Sequence, residues 1–321
     1  MRKSVFAVLA ALLLCLSACR EAPVQESDNF DELIVVGFSQ VGAESDWRAA
    51  NTKSMQEAFT EANGYRLIFD DAQQKQERQI NAIRSFIQQD VDYIVLAPTT
   101  ELGWDTVLKE AQNAGIPVII IDRMIEVEDE SLFTCWIGSD FRREGDRAVE
   151  WLEERFGEEP VNIIHLQGNI GSSAQIGRTN GLDEGLSRNS NWNLVARDSG
   201  EFTQAKAQEL MRHYIDLDFN VIYAENDNMA YGAIDVLKEE GLTPGQEVIV
   251  VSFDASRRGL VLTLAGDISF NVECNPLHGP RVSAIISRLE AGETPTKFTY
   301  VPEMTFSSET ITQNIIDLRA Y

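Results

Sequence analysis

The sequence predicts an α/β protein with two doubly wound parallel-sheet lobes. Three observations predict this fold class. The length of 321 residues exceeds what a single hydrophobic core usually sustains. Short, continuous apolar runs alternate with amphipathic helical patterns, which is typical of parallel sheets covered by helices on both faces. The alternation also comes as two successive series, which begin near residues 33 and 133.

The first series opens with an apolar, β-branched strand at 33–38 and a helix that Ser45 or Asp46 caps. Asn63-Gly64 ends that helix. The next elements in order are a helix at 75–89, a strand at 93–97, a helix at 104–114 and a strand at 117–121.

The second series repeats the alternation. Its predicted strands are 133–138, 161–166, 193–197, 220–224 and 247–252, and its helices are 141–156, 173–188, 203–217, 227–240 and 255–265. A strand at 268–273, a helix at 277–290 and a strand-like tail follow. Ligands of such sheets bind beyond the carboxyl ends of the strands, so the residues that follow strands carry the functional information.

The first residues predict export rather than fold. Arg2 and Lys3 precede an apolar run of twelve residues, 5–16, which suits a signal peptide and is too short to span a bilayer. Leu16-Ser17-Ala18-Cys19 resembles the bacterial lipobox, which implies removal of residues 1–18 and lipidation of Cys19. The alternative is a cysteine that follows an ordinary small-residue cleavage site. Residues 19–32 form an acidic tether.

The composition excludes several classes of partner. With 27 Lys and Arg against 51 Asp and Glu, the net charge is −24, so phosphate backbones and anionic lipid surfaces repel the protein. We therefore expect no nucleic-acid partner, and membrane attachment by the lipid anchor only. In the folded part only Cys135 and Cys274 remain, which predicts no metal site. They form either a disulfide, which export permits, or two buried thiols.

The sequence offers no catalytic motif. It contains no G-x-S-x-G, P-loop, H-E-x-x-H or post-strand G-x-G-x-x-G. His165, His213 and His278 lack an evident nucleophile partner. Asp70 and Asp71 are adjacent and would point to opposite faces of a strand, so we interpret them as a strand-end loop. We expect a protein without enzymatic activity or cofactor.

Polar side chains follow several of the predicted strands. Asp, Asn and Arg at converging strand ends suit a polyol, because carboxylates accept from hydroxyls and guanidinium groups donate to two oxygens. An aromatic side chain adds a flat face for the C–H side of a sugar ring. The strand-following candidates are Ser39, Trp47, Arg48, Asp122, Arg123, Arg178, Asn226, Asp254 and Glu273.

These segments resemble the periplasmic sugar-binding proteins of the ribose/galactose type, the substrate-binding subunits of ABC importers. The resemblance covers residues 33–320 and rests on IPVIIIDR at 116–123, YAENDNMA at 223–230 and SFD at 252–254. GFSQVG at 37–42, WRAA at 47–50 and QQKQE at 73–77 are similar to galactofuranose-binding members of the family.

The resemblance implies roles for the candidates. Trp47 stacks on the sugar, and Arg48, Asp122 and Arg123 of the first lobe hold its hydroxyls. From the second lobe the contributing residues are Arg178, Phe202, Asn226 and Asp254. Cys274 is a departure, because many relatives carry Gln there, and Glu273 is expected to compensate.

The family layout implies a three-strand hinge, with crossovers near 134–136, 273–275 and 300–303. The predicted first lobe is 33–134 plus 275–301, and the second is 135–274 plus 302–321.

Each candidate also has a structural interpretation. Trp47 alone suits a core position, Asp122-Arg123 a local ion pair, Asn226 and Asp254 helix N-caps, and Arg178 a solvated helix position. Their joint placement at strand ends of two facing lobes favours a sugar site.

The predicted function is a monomeric, lipid-anchored substrate-binding subunit of a sugar ABC importer, located in the periplasm or at the cell surface. Its ligand is a monosaccharide, galactofuranose or a related furanose or pyranose, and its partners are a membrane permease and an ATPase. The alternative is a sugar-sensing receptor for a chemoreceptor or sensor kinase.

Overall fold

A computed structural model describes residues 33–321, and Cys19 with the rest of residues 1–32 lies outside the described part. The strands are β1 Ile34–Gln40, β2 Tyr65–Asp71, β3 Tyr93–Leu96, β4 Val118–Ile121, β5 Cys135–Gly138, β6 Val161–Gln167, β7 Trp192–Ser199, β8 Val221–Ala224, β9 Ile249–Asp254, β10 Phe270–Glu273, β11 Phe298–Tyr300 and β12 Thr305–Ser307. The helices are α1 Asp46–Ala58, α2 Gln76–Gln88, α3 Asp105–Asn113, α4 Phe141–Phe156, α5 Ser173–Arg188, α6 Gln204–Tyr214, α7 Asp227–Glu239, α8 Arg257–Ala265, α9 His278–Glu290 and α10 Gln313–Leu318.

The strands form two six-stranded sheets, one in each lobe. The first lobe has the order β11-β5-β4-β3-β1-β2 and the second β12-β10-β9-β8-β6-β7. All pairings are parallel except that of β12 with β10. This confirms the predicted fold class.

The continuous apolar runs are explained by cores on both faces of each sheet. In β3, Ile94 and Leu96 belong to one buried cluster, whereas Tyr93 and Val95 belong to the cluster on the opposite face. Successive side chains of a strand point to opposite faces, so a strand covered on both sides is apolar at every position.

The chain passes between the lobes three times. The connecting segments are 139–140, 274–277 and 301–304, which we call the first, second and third crossovers. The sequence-based boundary after residue 134 differs from this arrangement. Cys135–Gly138 pairs with β4, so this strand belongs to the first lobe and the chain leaves that lobe only after Gly138. Its apolar character is the same in either sheet, and the sequence therefore did not distinguish them.

Two further predictions were wrong in detail. Asp70 and Asp71 are not in a loop but are the last residues of β2, paired with Ser39 and Gln40. The helix predicted to reach Asn63 ends at Ala58. Of the two alternatives for the cysteines, the structure has free, buried thiols at both Cys135 and Cys274. Between residues 33 and 321, none of the helices combines the length and apolar character needed to cross a membrane.

Candidate functional site

A cleft lies between the lobes, at the carboxyl ends of their strands. The residues that line it are Glu44, Ser45, Trp47, Arg48, Asp122, Arg123, Phe141, Ala174, Arg178, Phe202, Asn226, Asp254 and Cys274. Eight of the ten predicted binding residues are therefore brought together: all except Ser39 and Glu273.

The wall of the first lobe holds a buried network of two arginines and two carboxylates. Ser45 caps α1 by accepting from the Arg48 backbone N–H, which starts the helix with Arg48 in its first turn. The Arg48 guanidinium donates to Asp122 over 2.9 Å and to Glu44 over 3.3 Å. Burial opposes the charge of Arg48, but the attraction of Asp122 and Glu44 is larger, and its pKa is raised.

Arg123 completes this wall. Its guanidinium lies 3.8 Å from Glu44 and 4.0 Å from Asp122, and it donates to the Thr99 carbonyl over 3.2 Å. Burial and the neighbouring charge of Arg48 lower the pKa of Arg123 to about 10, so it stays cationic at neutral pH. The Asp122-Arg123 pair is thus part of a buried network and not an exposed ion pair.

Arg178 supplies the cation of the second lobe. Its Nε donates to Glu144 Oε2 over 2.7 Å, Nη1 donates to the Glu225 carbonyl, and Nη2 lies 3.7 Å from Asp254. Only 2% of Arg178 is exposed, so it is not a solvated helix residue. Burial opposes its charge, yet Glu144 and Asp254 raise its pKa overall.

Close packing of α4 on α5 brings Glu144 to Arg178. A Cβ on Gly181 would lie 2.6 Å from the backbone of Gly145, and one on Gly145 would lie 3.0 Å from the Arg178 carbonyl. Glycine at both positions lets the two helices approach closely enough for the short ion pair.

Three aromatic rings line the cleft, Trp47 from the first lobe and Phe141 and Phe202 from the second. Trp47 donates from Nε1 to the Cys274 carbonyl over 2.7 Å, which ties α1 to the second crossover. Phe202 lies directly over Gly168, where an added Cβ would come within 1.9 Å of its ring, and the Arg123 guanidinium stands 5.3 Å from its centroid. Trp47 and Phe202 are at least 95% buried and have defined positions.

Three residues at the cleft have positive φ angles. They are Asp122 at 62°, Phe202 at 59° and Asp254 at 105°. Non-glycine residues adopt this region rarely, and such strain clusters at functional sites. The only indication of this strain in the sequence is the presence of two Asp residues, which tolerate the left-handed region better than most.

Asn226 agrees with its structural interpretation as a helix N-cap, whereas Asp254 does not. Asn226 is the N-cap of α7 and accepts from the Met229 backbone, while its amide donates to the Phe202 carbonyl, so it lines the cleft and positions Phe202. Asp254 is not a cap, because Ser256 caps α8. Burial raises the pKa of Asp254 well above its usual range, and Arg178 only partly opposes this.

Ser39 and Glu273 are not at the cleft. Ser39 is buried inside β1, paired with Asp70 and Leu96, and its side chain is enclosed in the first lobe. Glu273 accepts from the Met304 backbone and from Tyr321, and pairs with Arg319, so it fixes the C-terminal segment. Both residues were predicted because they follow predicted strands, but their side chains make their contacts outside the cleft.

Sequence reasoning missed Glu44, Ser45, Phe141 and Ala174 as lining residues, and it discussed Cys274 only as a departure from the family. Glu44 lies four residues before Arg48, the spacing of an ion pair, and this signal could have identified it. Phe141 starts α4 directly after the first crossover, and the sequence pattern marks it only as a helix residue.

The lobes are closed over the cleft. The Asp46 N–H donates to Asn228 over 3.0 Å, Met124 N–H to Ser173 over 2.8 Å, and Asn169 to Gln74 over 3.0 Å. A backbone hydrogen bond from Glu101 to Gly171 adds a fourth connection. These contacts join the two lobes directly, so the described conformation is the closed one.

Comparison with protein families identifies the chain. A model of the periplasmic binding protein domain matches residues 36–278. The chain belongs to the periplasmic binding protein family. Family membership confirms the predicted resemblance, and with it the expectation of a binding component rather than an enzyme. A periplasmic family also agrees with the predicted export.

Individual members of the periplasmic binding protein family are similar over most of their length. The galactofuranose-binding protein YtfQ of Escherichia coli K12 is 37% identical over 288 residues, 88% of this chain and 90% of the relative. A Mycobacterium smegmatis protein solved with β-D-fucofuranose is 40% identical, with a TM-score of 0.83 over 86% of this chain and 92% of that chain. The arabinose ABC transporter component of Shewanella sp. ANA-3, solved with L-arabinofuranose, is 39% identical, with a TM-score of 0.83 over 89% and 95%.

Proposed function

We propose that the protein binds one monosaccharide between its lobes as the substrate-binding subunit of a sugar ABC importer. The observation that carries this proposal is the closed cleft, which receives arginine–carboxylate pairs and an aromatic ring from each lobe.

The chemistry of the lining matches a polyol. The carboxylates of Asp122 and Asp254 accept from hydroxyls, and the arginines donate to hydroxyl and ring oxygens. Glu44 Oε2 is buried and has no hydrogen-bond partner within residues 33–321, so it offers a further acceptor. Trp47 and Phe202 provide apolar faces for the C–H side of the ring.

A furanose is the proposed ring form, with galactofuranose as the first candidate. Relatives at 37–40% identity carry galactofuranose in their name or were solved with fucofuranose or arabinofuranose. The motifs at 37–42 and 73–77, which indicated the same subgroup, support this assignment.

The proposal includes the membrane anchor and the transporter subunits that the sequence predicts. Lipidation of Cys19 would anchor a monomer to the membrane through several acyl chains, since one chain alone binds only marginally. The closed lobes would deliver the sugar to a permease driven by an ATPase. Deleting the protein from cells should then abolish uptake of the sugar, whereas a sugar-sensing receptor would leave uptake intact.

Calorimetric titration tests the ligand. D-Galactose and L-arabinose, which interconvert between ring forms in water, should bind at one site with apparent affinities reduced by their furanose fractions. Methyl α-D-galactopyranoside is locked as a pyranose and is the matched control, so it should not bind. Equal binding of the locked pyranoside would overturn the furanose assignment, and absence of binding by every sugar would overturn the function.

A further inference from the structure

A cluster of polar side chains joins all three crossovers behind the cleft. Ser139 of the first crossover donates to Glu303 of the third over 2.5 Å, and lies 3.3 Å from the Cys274 sulfur in the second. The Asn275 N–H donates to the same Glu303 oxygen over 2.7 Å. Glu303 therefore contacts both other segments about which the lobes turn.

Glu144 connects this cluster to the cleft. Its Oε2 accepts from Arg178, the cation of the second lobe. Its Oε1 is fully buried and has no hydrogen-bond partner in the part of the chain that the structure describes. One oxygen of Glu144, one of Glu303 and the Cys274 sulfur lie within 4.8 Å of one another.

Two carboxylates this close, with Glu144 buried and Glu303 partly buried, cannot both be charged without a large electrostatic cost. Burial, with the charge of Glu144, raises the pKa of Glu303 to about 9. Burial also raises the pKa of Glu144, although Arg178 opposes this. Burial raises the pKa of the Cys274 thiol well above its usual range, so the thiol stays neutral.

The other charged groups around Glu144 and Glu303 do not remove the electrostatic cost of ionising both carboxylates. They are Arg147, whose guanidinium donates to the Glu303 carbonyl, Arg281 on α9, Glu273 at the end of β10, and Asp254 beside Arg178. Arg178 is already paired with Glu144, and the Glu303 carboxylate itself receives hydrogen bonds only from neutral donors among residues 33–321.

We propose that Glu144 and Glu303 share one proton at the hinge, and that this proton stabilises the closed lobes, so that the protein takes up a proton when it binds sugar in mildly alkaline solution. Opening the lobes turns the crossovers and admits water to the cluster, which lowers the cost of ionising both carboxylates. The closed form then holds the proton more strongly than the open form. By linkage, a rise in pH favours the open form and weakens sugar binding. This inference rests on the proposed function.

Calorimetric titration of D-galactose at pH 9, in two buffers of different ionisation enthalpy, measures the proton uptake directly. The wild type should take up a fraction of one proton per sugar, and its Kd should rise with pH by at most about tenfold per pH unit. Glu303→Gln keeps a neutral acceptor for Ser139 and Asn275, and should bind at pH 7 with no linked proton and a flat Kd up to pH 9. Glu309→Gln, at an exposed position just after β12, should behave as the wild type.

An unchanged proton uptake in Glu303→Gln, or none in the wild type, would overturn the proposal. If the sugar Kd of Glu303→Gln still rises at alkaline pH, the pH effect belongs to other groups, Arg123 first among them. Should Glu303→Gln not fold, Glu144→Gln removes the other carboxylate and should also abolish the uptake.

A pH titration of unfolding without sugar separates this proposal from the proposed function. Because the folded pKa of Glu303 is raised, its contribution to stability is full below the pKa of the unfolded state and is lost as pH rises to about 9. In Glu303→Gln, the free energy of unfolding should not show this loss between neutral pH and pH 9. A protein that binds no sugar but shows this difference would retain the shared proton and lose the proposed function, and an identical slope in both proteins would overturn the shared proton.

Discussion

Each arginine of the cleft has carboxylates beside it. Arg48 and Arg123 share Asp122 and Glu44, and Arg178 has Glu144 and Asp254. The pairs fix the orientation of the guanidinium groups before a ligand arrives, which lowers the conformational cost of binding. Their value lies in this preorganisation more than in stability, since a buried ion pair gains little net free energy over apolar packing.

Asp122→Asn tests this preorganisation. Asn tolerates the positive φ at this position but cannot carry the charge that orients Arg48. The sugar Kd in a calorimetric titration should rise about 10- to 150-fold, the value of losing one hydrogen bond to a charged group. Glu110→Gln removes the exposed partner of Arg84 in the same lobe and should leave the Kd unchanged. Equal effects of the two variants would contradict the role of Asp122.

His278 gives a second prediction at the residue scale. Burial lowers its pKa to about 4, and its Nδ1 lies 3.1 Å from the Asn51 amide. Since the folded state binds the proton less well than the unfolded state, stability is full above about pH 6.5 and falls as the pH drops towards 4. We expect the free energy of unfolding to fall by about 3 kcal/mol between these pH values, and urea unfolding measures this loss.

The matched control for this titration is His213, which is exposed on α6. His278→Gln should flatten the acid slope of the unfolding free energy, whereas His213→Gln should leave it as in the wild type. A slope that survives in His278→Gln would assign acid sensitivity to other groups.

Residue types at strand ends predicted most of the cleft, because parallel strands bring their carboxyl ends together whatever the details of packing. Glu144 was missed because it contacts Arg178 from the first turn of α4 and not from a strand end. Glu44 lies in the loop after β1 and was missed because its spacing from Arg48 was not used. Ser39 and Glu273 were predicted at the cleft because sequence position does not reveal which way a side chain points.

At the scale of elements, most strands were predicted well because a doubly covered strand is apolar throughout. The exception is β2, which was not among the predicted strands, because it lies at the edge of its sheet and is partly exposed along its length. The lobe to which β5 belongs was not predicted correctly, since hydrophobicity does not say which sheet a strand joins. How closely two elements approach each other also cannot be predicted from the hydrophobicity pattern. Gly168 at the end of β6 lies against Phe202, and only the structure relates the two.

Gly168→Ala should displace the Phe202 ring, because the new methyl group would lie 1.9 Å from it. The sugar Kd should rise about 2- to 12-fold, the range of an aromatic contact. A double-mutant cycle supplies the control: in a Phe202→Ala background the methyl group has room, so adding Gly168→Ala should change the Kd no further. Additive effects would mean that Gly168 acts independently of the ring.

At the scale of the whole molecule, closure depends on hydrogen bonds that exist only when the lobes meet. Asn228→Ala removes the bond to the Asp46 N–H, which closes the cleft over α1. The Kd should rise about 2- to 12-fold, the net value of one hydrogen bond, and mainly through faster dissociation in stopped-flow measurements.

Asn193→Ala is the control for closure. Asn193 donates to Asn162 within the second lobe and contacts no residue of the first lobe in the described chain. It should leave the dissociation rate unchanged. Equal acceleration by both variants would show that Asn228 acts through the stability of its own lobe and not through closure.

We propose that both lobes hold one furanose ring in the cleft. A crystal structure of the protein grown with D-galactose tests it most directly. We predict electron density for a furanose beside Trp47 and Phe202, with its hydroxyls on Arg48, Asp122 and Arg178. A sugar bound elsewhere, a pyranose in the cleft, or a closed cleft without sugar at saturating galactose would contradict the account.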